Sequence, residues 1–240
     1  MDDTKWLPDV KFVMRVHETL TETFAGSPDP VDPPGVRDNG LLESACARPL
    51  TGFADRLKYP NPLKQAAVLF HSLVQNHPFY NGNKRTALVT LLAHLHRQGR
   101  RVKPTEITDD LLYDFVCRVA ENKVPGYVGR MENGKIINAI YEWLKSYTEE
   151  KTLRMSEMKT HEFFELCEEL GASLKISGGY TYIFGYNGAS IHVANHVKKL
   201  NHMQMKTYFK KLKLGSNDPN DTAKQQIKLY EQLLRRLAHT

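Results

Sequence analysis

The stretch His77-Pro78-Phe79-Tyr80-Asn81-Gly82-Asn83-Lys84-Arg85-Thr86-Ala87 decides how the chain folds around it. Upstream, Asn61 and Pro62 make an N-cap and first-turn pair. Leu63, Ala66, Phe70, Leu73 and Val74 then recur at helical spacing. Downstream, Leu88, Leu91, Leu92 and Leu95 line one face, and Gly99 stands where a C-terminal cap belongs. The stretch therefore reads as a short loop between two buried helices, ending at the start of the second.

That position suits anion chemistry. The first turn of a helix exposes N–H groups without intrahelical partners, and its dipole favours negative charge. Gly82 lets the backbone approach a ligand closely, and Asn83, Lys84 and Arg85 add donors and positive charge. His77, at the loop's entrance, titrates near neutrality and can take a proton from a hydroxyl. A phosphate cradle beside a base implies phosphoryl or nucleotidyl transfer. The plainer alternative is a polar loop with a satisfied histidine and a solvated Lys-Arg pair.

The string also resembles the Fic/Doc family motif, His-Pro-Phe-x-(Asp/Glu)-Gly-Asn-(Gly/Lys)-Arg. Eight of nine positions fit, with the lysine variant of the Doc branch. The phrase Gly35-Val36-Arg37-Asp38-Asn39-Gly40-Leu41-Leu42-Glu43-Ser44-Ala45 is similar to the early part of such proteins, and the resemblance covers about residues 10–145. It implies an enzyme that moves phosphate or AMP from ATP to a Ser, Thr or Tyr hydroxyl of a target protein. His77 would be the general base, and Gly82, Asn83, Lys84 and Arg85 would hold the nucleotide phosphates. It implies Mg2+ at the motif's fifth position, which here is Asn81. An amide offers a neutral oxygen where Mg2+ prefers a charged one. A weakened metal site, a decayed one and a deliberate Asp→Asn silencing all fit. A toxin–antitoxin role is implied too. Ser146 to Glu150 has the spacing of the family's inhibitory helix without its full motif, so a separate antitoxin or the C-terminal module is the expected inhibitor. The family's target-gripping flap would fall at Arg48 to Tyr59, with Arg48, Pro49, Leu50, Thr51, Gly52 and Phe53 as its first residues.

Charge divides the chain. Residues 1–150 carry 19 Lys+Arg against 19 Asp+Glu, and residues 151–240 carry 14 against 8, so the net +6 lies wholly in the second part. Two modules are expected: a transferase domain over 1–150 and a basic α+β domain over 151–240. No apolar run approaches a membrane span, and the first residues lack signal-peptide form, which together predict a cytoplasmic protein. Three scattered cysteines, Cys46, Cys117 and Cys167, suit free thiols.

The first module reads as mainly α: helices over 9–24 and about 132–148, one starting near Asp38-Asn39-Gly40, one on each side of the 77–87 stretch, and one carrying Leu111, Leu112, Phe115, Val116 and Val119, with the flap as its one hairpin. The second reads as helix (160–170), three strands (172–176, 180–186, 189–194, the last two joined through Asn187-Gly188), helix (203–212), and a final helix over 220–238. Three phrases here resemble HicA-type toxins, a fold related to double-stranded-RNA-binding domains. They are Glu165-Leu166-Cys167-Glu168-Glu169-Leu170-Gly171-Ala172, Gly179-Tyr180-Thr181-Tyr182-Ile183-Phe184 and Ile191-His192-Val193-Ala194-Asn195-His196. That family's catalytic histidine would fall at Thr181, so the resemblance implies RNA contact without nuclease chemistry. Lys198, Lys199, Lys206, Lys210 and Lys213 offer a face for RNA or a protein partner. The alternative function is a binding protein built on two decayed toxin folds, with Asn81 and Thr181 marking the lost chemistry.

Overall fold

The computed structural model describes residues 6–54, 56–103, 105–127, 129, 132–150, 157–185, 188–212, 214 and 219–239. They form two compact units: residues 1–151 together with 230–240, and residues 152–229.

In the first unit, α1 (Val10–Phe24), α2 (Asn39–Ala47), α3 (Pro62–Asn76) and α5 (Asp109–Ala120) each begin on a side-chain cap. Asp9 accepts from the Phe12 N–H, Asp38 from Leu41, Asn61 from Leu63 and Lys64, and Thr108 from Leu111. Each cap satisfies orphan donors that otherwise cost about 1 kcal/mol. At the centre, α3 buries every residue from Ala66 to Val74, and α4 (Asn83–Arg97) every residue from Arg85 to Leu95. The sequence shows a leucine face on α4. The structure surrounds that helix instead, with α1, α3 and α5 all packed on it. A stacked run of Phe70, Phe115 and Trp143 ties α3 and α5 to α6 (Asn133–Tyr147), with ring centroids 5.3 and 3.8 Å apart.

Strands β1 (Gly52–Phe53) and β2 (Arg56–Leu57) make the expected hairpin. A second pair was not expected: β3 (Arg100–Val102) runs antiparallel to β4 (Thr148–Glu150). Its register sets Arg100 opposite Glu150 and Arg101 opposite Glu149, with Arg101 Nε 2.8 Å from the Glu149 carboxylate. The stretch that reads locally as a polar linker is a strand because its acids meet arginines nearly fifty residues earlier.

In the second unit, β5 (Met158–Lys159) pairs with β9 (Lys199–Leu200), and α7 (Thr160–Glu169) follows β5. Then come β6 (Ser173–Ser177), β7 (Tyr180–Phe184) and β8 (Ser190–Ala194), an antiparallel sheet in the order β6-β7-β8. Alternation places Thr181, Ile183, Ile191 and Val193 inward. They close on Phe163 and Cys167 of α7 and on Met205, Phe209 and Leu212 of α8 (His202–Leu212). The helix–three-strand–helix order holds. Asn187 and Lys213 lie outside the described residues.

The final helix is two helices. α9 (Pro219–Leu229) belongs to the second unit, and a Gln225 side-chain N–H donates to the Leu170 carbonyl. The chain then turns at Tyr230, and α10 (Glu231–Arg236) packs with the first unit, so the second module ends about ten residues before position 240.

Candidate active site

α3 ends at His77 in the left-handed conformation (φ 48°), and Pro78 prevents any continuation. The turn leaves the His77 side chain exposed at the mouth of the loop. The loop is held from outside. The Pro78 carbonyl accepts the Arg37 and Asp38 N–H groups at 2.7 and 3.1 Å, and the Tyr80 N–H donates to the Gly35 carbonyl at 3.2 Å. Phe79 is buried and stacks on the His17 ring, centroids 4.0 Å apart. The Asn83 side chain turns back on Phe79, accepting its N–H and donating to its carbonyl, both at 2.9 Å. Its amide is thus spent on the loop.

Gly82 starts α4 with φ 72°, and a Cβ there would lie 3.0 Å from a Val31 methyl. Glycine is required on both counts. Having no side chain, it cannot cap. α4 therefore begins without the side-chain acceptor that α1, α2, α3 and α5 possess, and no side chain caps its first turn. The Gly82 N–H is excepted, because Asn81 Oδ1 accepts it at 2.5 Å.

Loop 29–35 straps the motif down. Arg85 donates to the Asp29 carbonyl at 2.8 Å and to the Pro30 carbonyl at 3.0 Å. Asn81 Nδ2 donates to the Asp32 carbonyl at 2.6 Å. His17 Nε2 accepts the Gly35 N–H at 3.0 Å. Its Nδ1 must then carry the proton, which goes to Thr86 Oγ1 at 3.2 Å. Burial, with Arg85 nearby, holds His17 at about 4, so it stays neutral in that role. Arg85 also has a structural role. Its guanidinium is only 1% exposed and lies over the Phe24 ring, and its fork is committed to the strap. It anchors the loop through both Nη groups, while its Nε has no hydrogen-bond partner.

The electrostatics at the mouth of the loop centre on His77. Partial burial and the charges of Lys84 and Arg37 push its pKa below the usual value, so it is unprotonated at neutral pH. Lys84 is only half-buried and stands on the first turn of α4. Arg37 is a residue that sequence reasoning passed over. The bridge between Val36 and Phe79 brings it to the loop, and the phrase around Asp38 was its only signal.

Residues 7–95 match the Fic/DOC family. They form a Fic/Doc family domain. Over 86 residues the chain is 44% identical to the Toxin Doc of Mycolicibacterium smegmatis, a match covering 35% of this chain and 66% of that protein. No solved structure matches.

The metal that Fic/Doc membership implies does not fit the residues present. Both ends of the Asn81 amide are engaged by backbone groups, and its oxygen is neutral. Among the described residues no group of three His, Cys, Asp or Glu side chains could hold an ion.

The segment expected to be the flap holds the β1–β2 hairpin, with Gly52 opposite Leu57 and Phe53 opposite Arg56. A Cβ at Gly52 would sit 2.3 Å from the Arg56 carbonyl oxygen, so the crossing needs glycine. Phe53 is 89% exposed, and Thr51 and Leu50 are exposed beside it. Pro49, expected to face a target, is buried instead, because a 3-10 turn over Arg48–Leu50 seats it on the domain. Arg48 Nη1 donates to Ser72 Oγ at 3.1 Å on α3. A cleft of about 680 Å³ lies under the hairpin, lined by Arg48, Phe53, Arg56 and Lys58 among others.

The remaining expected positions fall in the second unit. Thr181 is buried and donates to Asn195 Oδ1 at 3.0 Å, a core hydroxyl with a partner. Lys198, Lys206 and Lys210 are exposed, and Lys199 pairs with Glu157 at 3.3 Å.

Proposed function

We propose that the chain is a toxin-type Fic/Doc transferase that moves phosphate or AMP from ATP to a hydroxyl side chain of a target protein. The observation that carries this reading is the start of α4, without a side-chain cap and bearing Lys84, close enough to His77 that the lysine's charge helps to lower the imidazole's pKa. Bound ATP would supply the phosphorus electrophile. The N–H groups of residues 83–85 and the Lys84 ammonium would hold its phosphates. His77 would take the proton of the acceptor hydroxyl as that oxygen bonds to phosphorus. The P–O bond to ADP or pyrophosphate breaks, and the proton stays on the imidazole. The lysine at position 84, typical of the Doc branch, favours phosphate over AMP. No step is assigned to a protein-held metal. The flap hairpin would align the target segment beside His77, and an antitoxin is the expected partner in keeping with the toxin relative. By its element order we read the second unit as a HicA-like module.

A second reading, a catalytically weakened binding protein, is favoured by Asn81, whose amide ties down the strap in place of a metal-binding carboxylate. Incubation with γ- or α-labelled ATP, magnesium and a cell extract separates the two. A labelled protein band that His77→Ala abolishes, while ATP binding stays within a few-fold by calorimetry, supports the transferase. ATP binding with no labelled band under any metal condition supports the second reading.

A further inference from the structure

We propose that the open face of the β6–β7–β8 sheet is a stacking platform for single-stranded RNA. Thr181, Ile183, Ile191 and Val193 turn into the core of the second unit. Strand alternation therefore sends Tyr180, Tyr182 and Phe184 of β7 to the opposite face, one after another. Tyr180 is 41% exposed and Phe184 38%. The register sets Lys175 of β6 and His192 of β8 on either side of Tyr182. The rings form a group: Tyr180 and Tyr182 centroids are 6.4 Å apart, and His192 lies 5.3 and 5.9 Å from them.

The solvent face of an antiparallel sheet is ordinarily polar, so three successive aromatics call for a ligand. Charge and chemistry point to which one. Strands β6, β7 and β8 contain no carboxylate, and the cation among them stands in the central row. Such a face accepts phosphates at its rim. Its apolar part is mostly rings with polar tips, set among Ser173, Ser177 and Ser190, rather than the aliphatic side chains that a protein partner's core would bury. Rings spaced at alternate positions along a strand suit unstacked bases, and hydroxyls beside them suit the ribose 2′-OH. This binding mode differs from duplex binding through the lysines of α8. That helix buries Met205 and Phe209 against the inner side of the same sheet, so Lys206 and Lys210 lie away from the rings.

The test uses the full chain and labelled oligonucleotides at low salt, read by fluorescence anisotropy. The probes are an oligouridylate and an oligothymidylate of about eight nucleotides and an RNA duplex of about 16 base pairs. The oligouridylate should bind. Tyr182→Ser and Tyr180→Ser should each weaken it about tenfold, with Tyr182→Phe within about twofold of the parent. Lys206→Ser should leave it unchanged, and thermal melts confirm that each variant is folded. No binding of the oligouridylate overturns the proposal and leaves the face to a protein partner. So do unchanged affinities in both serine variants, tighter binding of the DNA strand, or duplex binding that outcompetes the single strand and is lost on Lys206→Ser.

Discussion

Asn81 shows how one side chain can hold a motif in shape without its usual chemistry. Its Nδ2 donates to the Asp32 carbonyl, and its Oδ1 accepts the Gly82 N–H. Asn81→Asp removes the donor and faces a carboxylate to a carbonyl oxygen. We expect a loss of about 1–2 kcal/mol in urea denaturation, with Asn81→Ala close behind. A carboxylate that left stability unchanged would mean that the strap does not depend on this bond. Arg85 carries more. Two strap carbonyls rely on its fork, and a lysine cannot reproduce that geometry. Arg85→Lys should cost about 2–3 kcal/mol despite keeping the charge, again by urea denaturation. For His77 the depressed pKa sets the pH profile. Transfer should be flat through neutrality and fall only as pH drops below the usual histidine value near 6.5. Rates that already fall between pH 8 and 7 would contradict it.

Among the elements, the strap loop 29–35 depends on α10 as much as on the motif. Asp29 is pinned from that side by His239 Nε2 at 2.6 Å and Arg235 Nη1 at 3.8 Å, while Arg235 also lies over Phe24. Truncation after Leu229 should therefore raise proteolysis within residues 26–35 before the helices melt. Limited digestion read by mass spectrometry checks this. Equal protection of the loop with and without α10 would show that Arg85 suffices. Most of this domain was legible in the sequence. The Asn61–Pro62 cap, the helix start near Asp38, the apolar period of α3 and the His77–Arg85 string are local signals, and local signals survive reading. The β3–β4 pair, the break at Tyr230 and the strap were not legible, because each rests chiefly on partners far apart in sequence, such as Arg101 with Glu149, Arg85 with Asp29 and His239 with Asp29. The anchor role of Arg85 was hidden for the same reason, because only the Asp29 and Pro30 carbonyls reveal it.

Across the whole molecule, three histidines are held neutral inside the first unit. Burial keeps His17 and His71 at about 4 and His94 at about 3, with Arg85, Arg48 and Arg97 respectively adding to the shift. In the unfolded chain each regains a value near 6.5, so the unfolded state binds more protons below that pH. Their share of stability is complete above pH 6.5 and is lost as pH falls towards 4, on the order of 3 kcal/mol for each. Chemical denaturation from pH 7 to 4 should show that slope, and His94→Leu should flatten it. A profile as steep in that variant as in the parent would place the loss elsewhere.

The route of the chain has a temporal consequence. The polypeptide leaves the Fic/Doc unit near residue 151 and returns at Tyr230, and the residues that pin Asp29 are among the last of the 240. A ribosome adding roughly 5–20 residues per second needs about 4–18 s to travel from residue 151 to His239. During that interval the nascent chain already carries His77 and the start of α4, while its strap is clamped from one side only. Complete bracing of the strap from both sides is thus deferred until synthesis has passed His239.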